Sequence, residues 1–138
     1  MKSVSTRISE KRLREIKAKL EEFEEKIKKI NKKIEELRKK VEELRKQPHR
    51  FGYIEFRPVK NKIGTVYRYY YYVYYVKENG VWKKKSVYLG DSLDEKLLEE
   101  IERGKQIKAL EREIYRLEKE REKLIKKAMK MINKLSMV

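Results

Sequence analysis

Tyr67-Arg68-Tyr69-Tyr70-Tyr71-Tyr72-Val73-Tyr74-Tyr75 places seven tyrosines in nine positions, and this stretch decides the fold. Aromatic side chains are favoured in strands and lose rotamer freedom in helices. Lys77-Glu78-Asn79-Gly80 follows at once and carries a hairpin turn signal, so the stretch is a β-strand entering a hairpin. Tyrosine lies on both faces of that strand. A small protein cannot bury both, so one face packs and the other meets water or a partner.

Outward from this centre the pattern keeps a period of two. Phe51-Gly52-Tyr53-Ile54-Glu55-Phe56-Arg57-Pro58-Val59-Lys60 reads as a preceding strand, and Pro58 marks it as an edge because proline cannot donate to a ladder. Asn61-Lys62-Ile63-Gly64 is the first turn. The tyrosine strand then runs from about residue 65 to 77, and a third from about 81 to 89, stopped by Gly90. The second turn allows two registers. If Asn79-Gly80 alone form the loop, Tyr75 lies opposite Lys84. If Glu78-Asn79-Gly80 form it, Tyr75 lies opposite Lys83, and the whole face exchanges. The three-residue loop, with Gly80 in its left-handed position, is the expectation.

Both flanks are helical. Before the sheet, Leu13, Ile16, Leu20, Phe23, Ile27, Ile30, Ile34, Leu37, Val41 and Leu44 alternate spacings of three and four, a heptad seam among Glu and Lys runs. Ser3, Ser5, Thr6 and Ser9 are candidate N-caps, and Pro48 ends the helix, which would be about 60 Å long. After the sheet, Asp91-Ser92 is the expected cap, and Leu93, Leu97, Leu98 and Ile101 form an apolar patch suited to cover one sheet face. Gly104 predicts a kink. A second seam follows at Ile107, Leu110, Ile114, Leu117, Leu124, Ala128, Met131 and Leu135, with Arg121 in one of its positions.

The expected class is therefore α+β, a long antiparallel helical hairpin with a three-stranded antiparallel sheet at its tip. Its parts are a coiled-coil helix (residues 1–47), a basic tyrosine-rich sheet (48–90) and a second coiled-coil helix (91–138). Composition agrees, because 45% charged and 39% hydrophobic residues leave too little for a thick core but enough for an apolar seam. The formal charge is +16. Residues 48–90 carry nine basic and two acidic side chains, whereas residues 91–138 are nearly balanced, so attraction to polyanions concentrates on the sheet.

With no cysteine and one histidine, His49, neither a thiolate metal site nor a catalytic dyad can be assembled, and no Gly-rich loop precedes a helix. The expectation is a protein without enzymatic activity, cofactor or metal. No apolar run approaches a membrane span and the start lacks a signal peptide, so no membrane partner is expected and the location is cytoplasmic. Abundant Lys and Glu with only two Gln resembles the composition of hyperthermophile proteins. Arg57, Lys60, Lys62, Arg68, Lys83, Lys84 and Lys85 are the expected phosphate contacts, and Tyr69, Tyr71 and Tyr75 the expected exposed aromatic contacts.

Tyr69 to Tyr75, the Glu-Asn-Gly turn, and Lys84-Lys85-Ser86-Val87-Tyr88-Leu89-Gly90 before an acidic-capped helix resemble a family of small, uncharacterised archaeal and bacterial proteins. In these a tyrosine-rich hairpin sits between helices. The resemblance covers residues 50–117 and implies the fold but no activity. Bacterial members carry Gly and Cys residues in the first turn that this chain lacks, which removes a metal role. A looser likeness is to the three-stranded arm-binding domains of integrases, which dock a sheet in the major groove.

Together these features predict a coiled-coil homodimer that presents its sheet to nucleic acid, double-stranded DNA in particular, in the regulation or maintenance of a mobile genetic element. The rival is a structural or chaperone-like protein assembling through its hairpins, because helix, hairpin, helix is also the layout of prefoldin subunits.

Overall fold

In a computed structural model, which describes residues 8–136, the elements follow one another as α1 (Glu10–Arg45), β1 (Tyr53–Lys60), β2 (Val66–Glu78), β3 (Val81–Gly90) and α2 (Glu95–Ser136). This is the expected α+β class, with two long helices and a three-stranded antiparallel sheet between them in the chain. The chain divides into two compact units, one formed up to Lys40 and from Leu110 onward, the other by Val41–Ala109.

In the first unit α1 and α2 run antiparallel, as the Arg38 guanidinium to Glu118 (2.7 Å) and Arg121 to Asn31 Oδ1 (2.8 Å) pairs show. The α1 seam is used along its length. Ile16, Phe23, Ile30, Ile34 and Leu37 are buried, while Leu13, Leu20 and Ile27 are half-buried. Ile30, Ile34, Leu37 and Leu117 form the core, with Leu110, Ile114 and Leu124 against it. Arg121 occupies its seam position by reaching Asn31 with its guanidinium. Ser9 caps α1, its Oγ accepting from the Arg12 N–H at 3.1 Å, as expected of N-cap serines. The other candidate caps, Ser3, Ser5 and Thr6, lie outside the described residues.

In the second unit the strand order is β1-β2-β3, so β1 with Pro58 is an edge strand. Asn61 organises the first turn, its Oδ1 accepting from Ile63 and Thr65. The second turn corrects the expected register. Glu78 pairs with Val81 and Tyr75 with Lys84, so the loop is Asn79-Gly80 alone. Both residues are left-handed, with φ of 50° and 79°, as a type I′ turn requires. That turn twists with the strands it joins, and Asn tolerates φ above zero well enough to take the first position.

The α2 cap is also corrected. Asp94, not Asp91-Ser92, accepts the Lys96 N–H at 3.1 Å, because the helix begins only at Glu95. Gly104 lies within α2, where glycine serves a close approach: a Cβ would lie 1.9 Å from the Arg50 carbonyl oxygen. The segment that crosses at this point is fastened by Arg50 N–H to Glu100 O (2.9 Å), the Arg50 guanidinium to Glu100 Oε2 (2.7 Å), and the Arg103 guanidinium to Pro48 O. Phe51 lies between two cations, with Lys108 Nζ 4.6 Å and the Arg45 guanidinium 5.7 Å from its ring centre.

Candidate nucleic-acid interface

Alternation along the strands sorts the side chains into two faces. On one, Ile54, Tyr72, Tyr74, Val87 and Leu89 meet the start of α2. Leu97 lines a groove with Tyr72, Tyr74, Val87 and Leu89, and Leu98 and Ile101 line another with Tyr53 and Ile54. Tyr72 is buried and its hydroxyl donates to Phe51 O at 2.5 Å, while burial pushes its phenol above the ordinary value. Phe56 and Tyr70 stack on the same face, with ring centres 4.6 Å apart.

The other face carries Tyr53, Tyr67, Tyr69, Tyr71, Tyr75, Trp82 and Tyr88. Arg57, Lys77 and Lys84 stand among them with one acid, Glu55. Val73, of the same alternation, is fully buried. The rings themselves stay open, with Trp82 66% exposed, Tyr88 58%, Tyr75 53% and Tyr67 48%. They also brace one another. Tyr88 meets Tyr69 and Tyr71 edge-on, each at 5.5 Å, and Tyr67 stacks near Tyr69 at 6.3 Å.

Arg57 is the most constrained cation. It bonds Glu55 Oε1 at 2.8 Å and Ser86 Oγ at 2.8 Å, and its guanidinium lies 4.5 Å from the Tyr71 ring centre. Lys84 Nζ is 3.7 Å from Glu55 Oε2, and Lys77 lies over Trp82. The Arg57 hydrogen bond holds the Glu55 carboxyl below the usual carboxylate range, so Glu55 is charged at neutral pH and offsets part of the positive field. Tyr75 is held above the ordinary phenol value, first by its hydrogen bond with Tyr53, and Tyr88 is raised by desolvation and by the neighbouring Tyr69 and Tyr71. Both phenols stay neutral, and Tyr88 keeps an O–H that can donate to a phosphate.

The register divides the residues singled out in the sequence. Arg57, Tyr69, Tyr71, Tyr75 and Lys84 share the open face. Lys60, Arg68, Lys83 and Lys85 point to the opposite side, and Lys62 is in the first turn. Lys83 and Lys85 both pair with Glu78, at 3.2 and 3.4 Å. The longer loop would have set these two beside Tyr75, and the one-residue difference puts Lys84 there instead. Four open-face aromatics, Tyr53, Tyr67, Trp82 and Tyr88, are not among the contacts expected from the sequence. For Trp82 and Tyr88 the signal is the two-residue Asn-Gly turn, which sets β3 on β2.

Among the described residues, no group of three or more His, Cys, Asp or Glu is placed to hold a metal ion, and no helix is long and apolar enough to cross a membrane. Comparison with protein-family models, curated proteins and solved structures finds no match to the chain.

Proposed function

We propose that this is a non-enzymatic nucleic-acid-binding protein whose contact surface is the tyrosine face of the sheet. The observation that carries the reading is one open face with seven aromatic side chains, three cations and a single acid. Such a face combines attraction to phosphates with flat surfaces for bases or sugars. The test measures binding to labelled duplex DNA, single-stranded DNA and RNA of random sequence across a salt series. Lys84→Ala should weaken binding and lower the salt slope by about one, whereas Lys83→Ala with Lys85→Ala, on the other face, should change it less. Glu55→Gln should act in the opposite sense, tightening binding and steepening the slope by freeing Arg57 and Lys84. No salt-dependent binding near the physiological ~0.15 M would favour the hairpin-assembly alternative, and a greater loss from the Lys83/Lys85 pair than from Lys84 would overturn the tyrosine face as the contact surface.

The same reading includes a homodimer, and α2 supplies the surface for it. Tyr115, Ile125, Met129 and Ile132 stand exposed outside the seam, the last three at spacings of four and three. Glu118 and Glu122 precede Lys126 and Lys130 beside this stripe. A second copy running antiparallel would set acid against base, and a parallel one like against like. Light scattering should give twice the chain mass for the native protein and the single mass for Ile125→Lys/Met129→Lys. A native monomer, or a variant that still pairs, would exclude this interface.

A further inference from the structure

We infer that the tyrosine face takes an unpaired polynucleotide strand rather than a duplex, an inference that rests on the nucleic-acid reading above. Aromatic rings bind bases by their flat faces. In a duplex those faces are hidden within a stack that repeats every ~3.4 Å along each strand, leaving only groove edges and phosphates outside. Rings on one strand of a sheet recur every second residue, roughly 6.8 Å apart, a spacing that suits bases drawn away from one another.

The cations point the same way. Duplex affinity grows with the number of phosphates neutralised, each contributing about 0.9 to the salt slope. Of the nine basic side chains in residues 48–90, only Arg57, Lys77 and Lys84 share the open face, and two of these answer to Glu55. Lys83 and Lys85 are turned away onto Glu78, and Arg50 is held by Glu100. Three phosphate contacts are a weak basis for holding a duplex. Open rings at Tyr67, Tyr75, Trp82 and Tyr88 outnumber them, and stacking on such rings is insensitive to sequence because every base has a flat face.

Preorganisation favours it further. Tyr88 meets both Tyr69 and Tyr71 edge-on, so less side-chain freedom is lost when a strand settles on it. DNA and RNA strands satisfy this chemistry alike, because stacking and phosphate contact do not require a 2′-hydroxyl.

Trp82 is the only tryptophan in the chain and stands on this face, so the protein carries its own reporter. Labelled oligothymidylate and oligouridylate of about 15 nucleotides, within the usual site-size range, would be titrated beside a mixed-sequence duplex of the same length, with anisotropy and Trp82 fluorescence followed together. Both single strands should bind at least tenfold more tightly than the duplex and quench Trp82. Tyr88→Ala should weaken strand binding roughly 5- to 150-fold with the salt slope unchanged, Tyr88→Phe should restore most of it, and Tyr70→Ala on the opposite face should leave it nearly unaltered.

Duplex binding as tight as single-strand binding, unquenched Trp82 on binding, or a Tyr88→Ala variant that binds like the native protein would each overturn this inference while leaving the nucleic-acid reading in place. If none of the three oligonucleotides binds, that reading falls with it.

Discussion

Gly104→Ala is expected to destabilise the protein by about 3 kcal/mol, although the same change in an exposed helix would stabilise it by about 1 kcal/mol. The sign is set by what the new methyl group would meet. Its carbon would lie 1.9 Å from the Arg50 carbonyl oxygen, 2.8 Å from the Arg50 carbonyl carbon and 3.3 Å from the edge of the Phe51 ring. The first two are backbone atoms, which cannot swing aside as the end of a lysine can. Moving that backbone would break the Arg50 N–H bond to Glu100 O, the Arg50–Glu100 ion pair and the Arg103 bond to Pro48 O, and would disturb the Tyr72 hydroxyl on Phe51 O. Each such bond contributes about 1 kcal/mol net, so yielding costs as much as clashing. Chemical denaturation of the two proteins decides the matter. An alanine variant as stable as the native chain, or more so, would mean that the approach of residues 48–51 to α2 is not as close as described.

Ile34→Ala is expected to cost about 3–4 kcal/mol, within the ~2–5 kcal/mol typical of a buried isoleucine truncated to alanine. Ile34 is 2% exposed and sits with Ile30, Leu37 and Leu117 at the centre of the helical unit. A paired-helix core is thin, so few neighbours can relax into the space and most of the cavity remains. Ile27→Ala, at a half-buried position of the same seam, should cost clearly less. Against a total stability of roughly 5–15 kcal/mol the Ile34 loss is a large fraction, readable as a lower denaturation midpoint with an unchanged slope. Equal losses at the two positions would show that the seam is not gripped where the burial places it.

The helical seam was legible because its cause is local. Leu13 to Leu44 recur at the spacing that puts one stripe along a helix, and whatever partner the helix finds, that stripe is the side that must leave water. All ten positions from Leu13 to Leu44 prove buried or half-buried. The three strands were equally legible from their period of two, the Asn61 and Asn79-Gly80 turns and the edge position of Pro58. Less legible was the α2 start, where Asp91, Ser92 and Asp94 can all cap and only the path of the chain after Gly90 selects among them.

The composition of the open face could not be read off in the same way. Val66 to Glu78 has tyrosine at odd and even positions alike, so alternation alone does not say which set is covered. Glu78-Asn79-Gly80 supports a loop of two residues or of three, and the difference moves Lys84 on to the tyrosine face and Lys83 and Lys85 off it.

Sequence by itself determined the class of fold, the two helical seams, the strand order expected of a meander and the concentration of positive charge on the central segment, because each depends on residues close together in the chain. Tertiary structure alone decided which tyrosines are open, that Arg57 and Lys84 share Glu55, and that Gly104 exists to let Arg50 pass. Those outcomes depend on pairs such as Tyr75 with Lys84, Arg57 with Ser86, and Gly104 with Arg50. Their physical cause is close approach between distant parts of the chain, and nothing in the spacing of neighbouring residues encodes it.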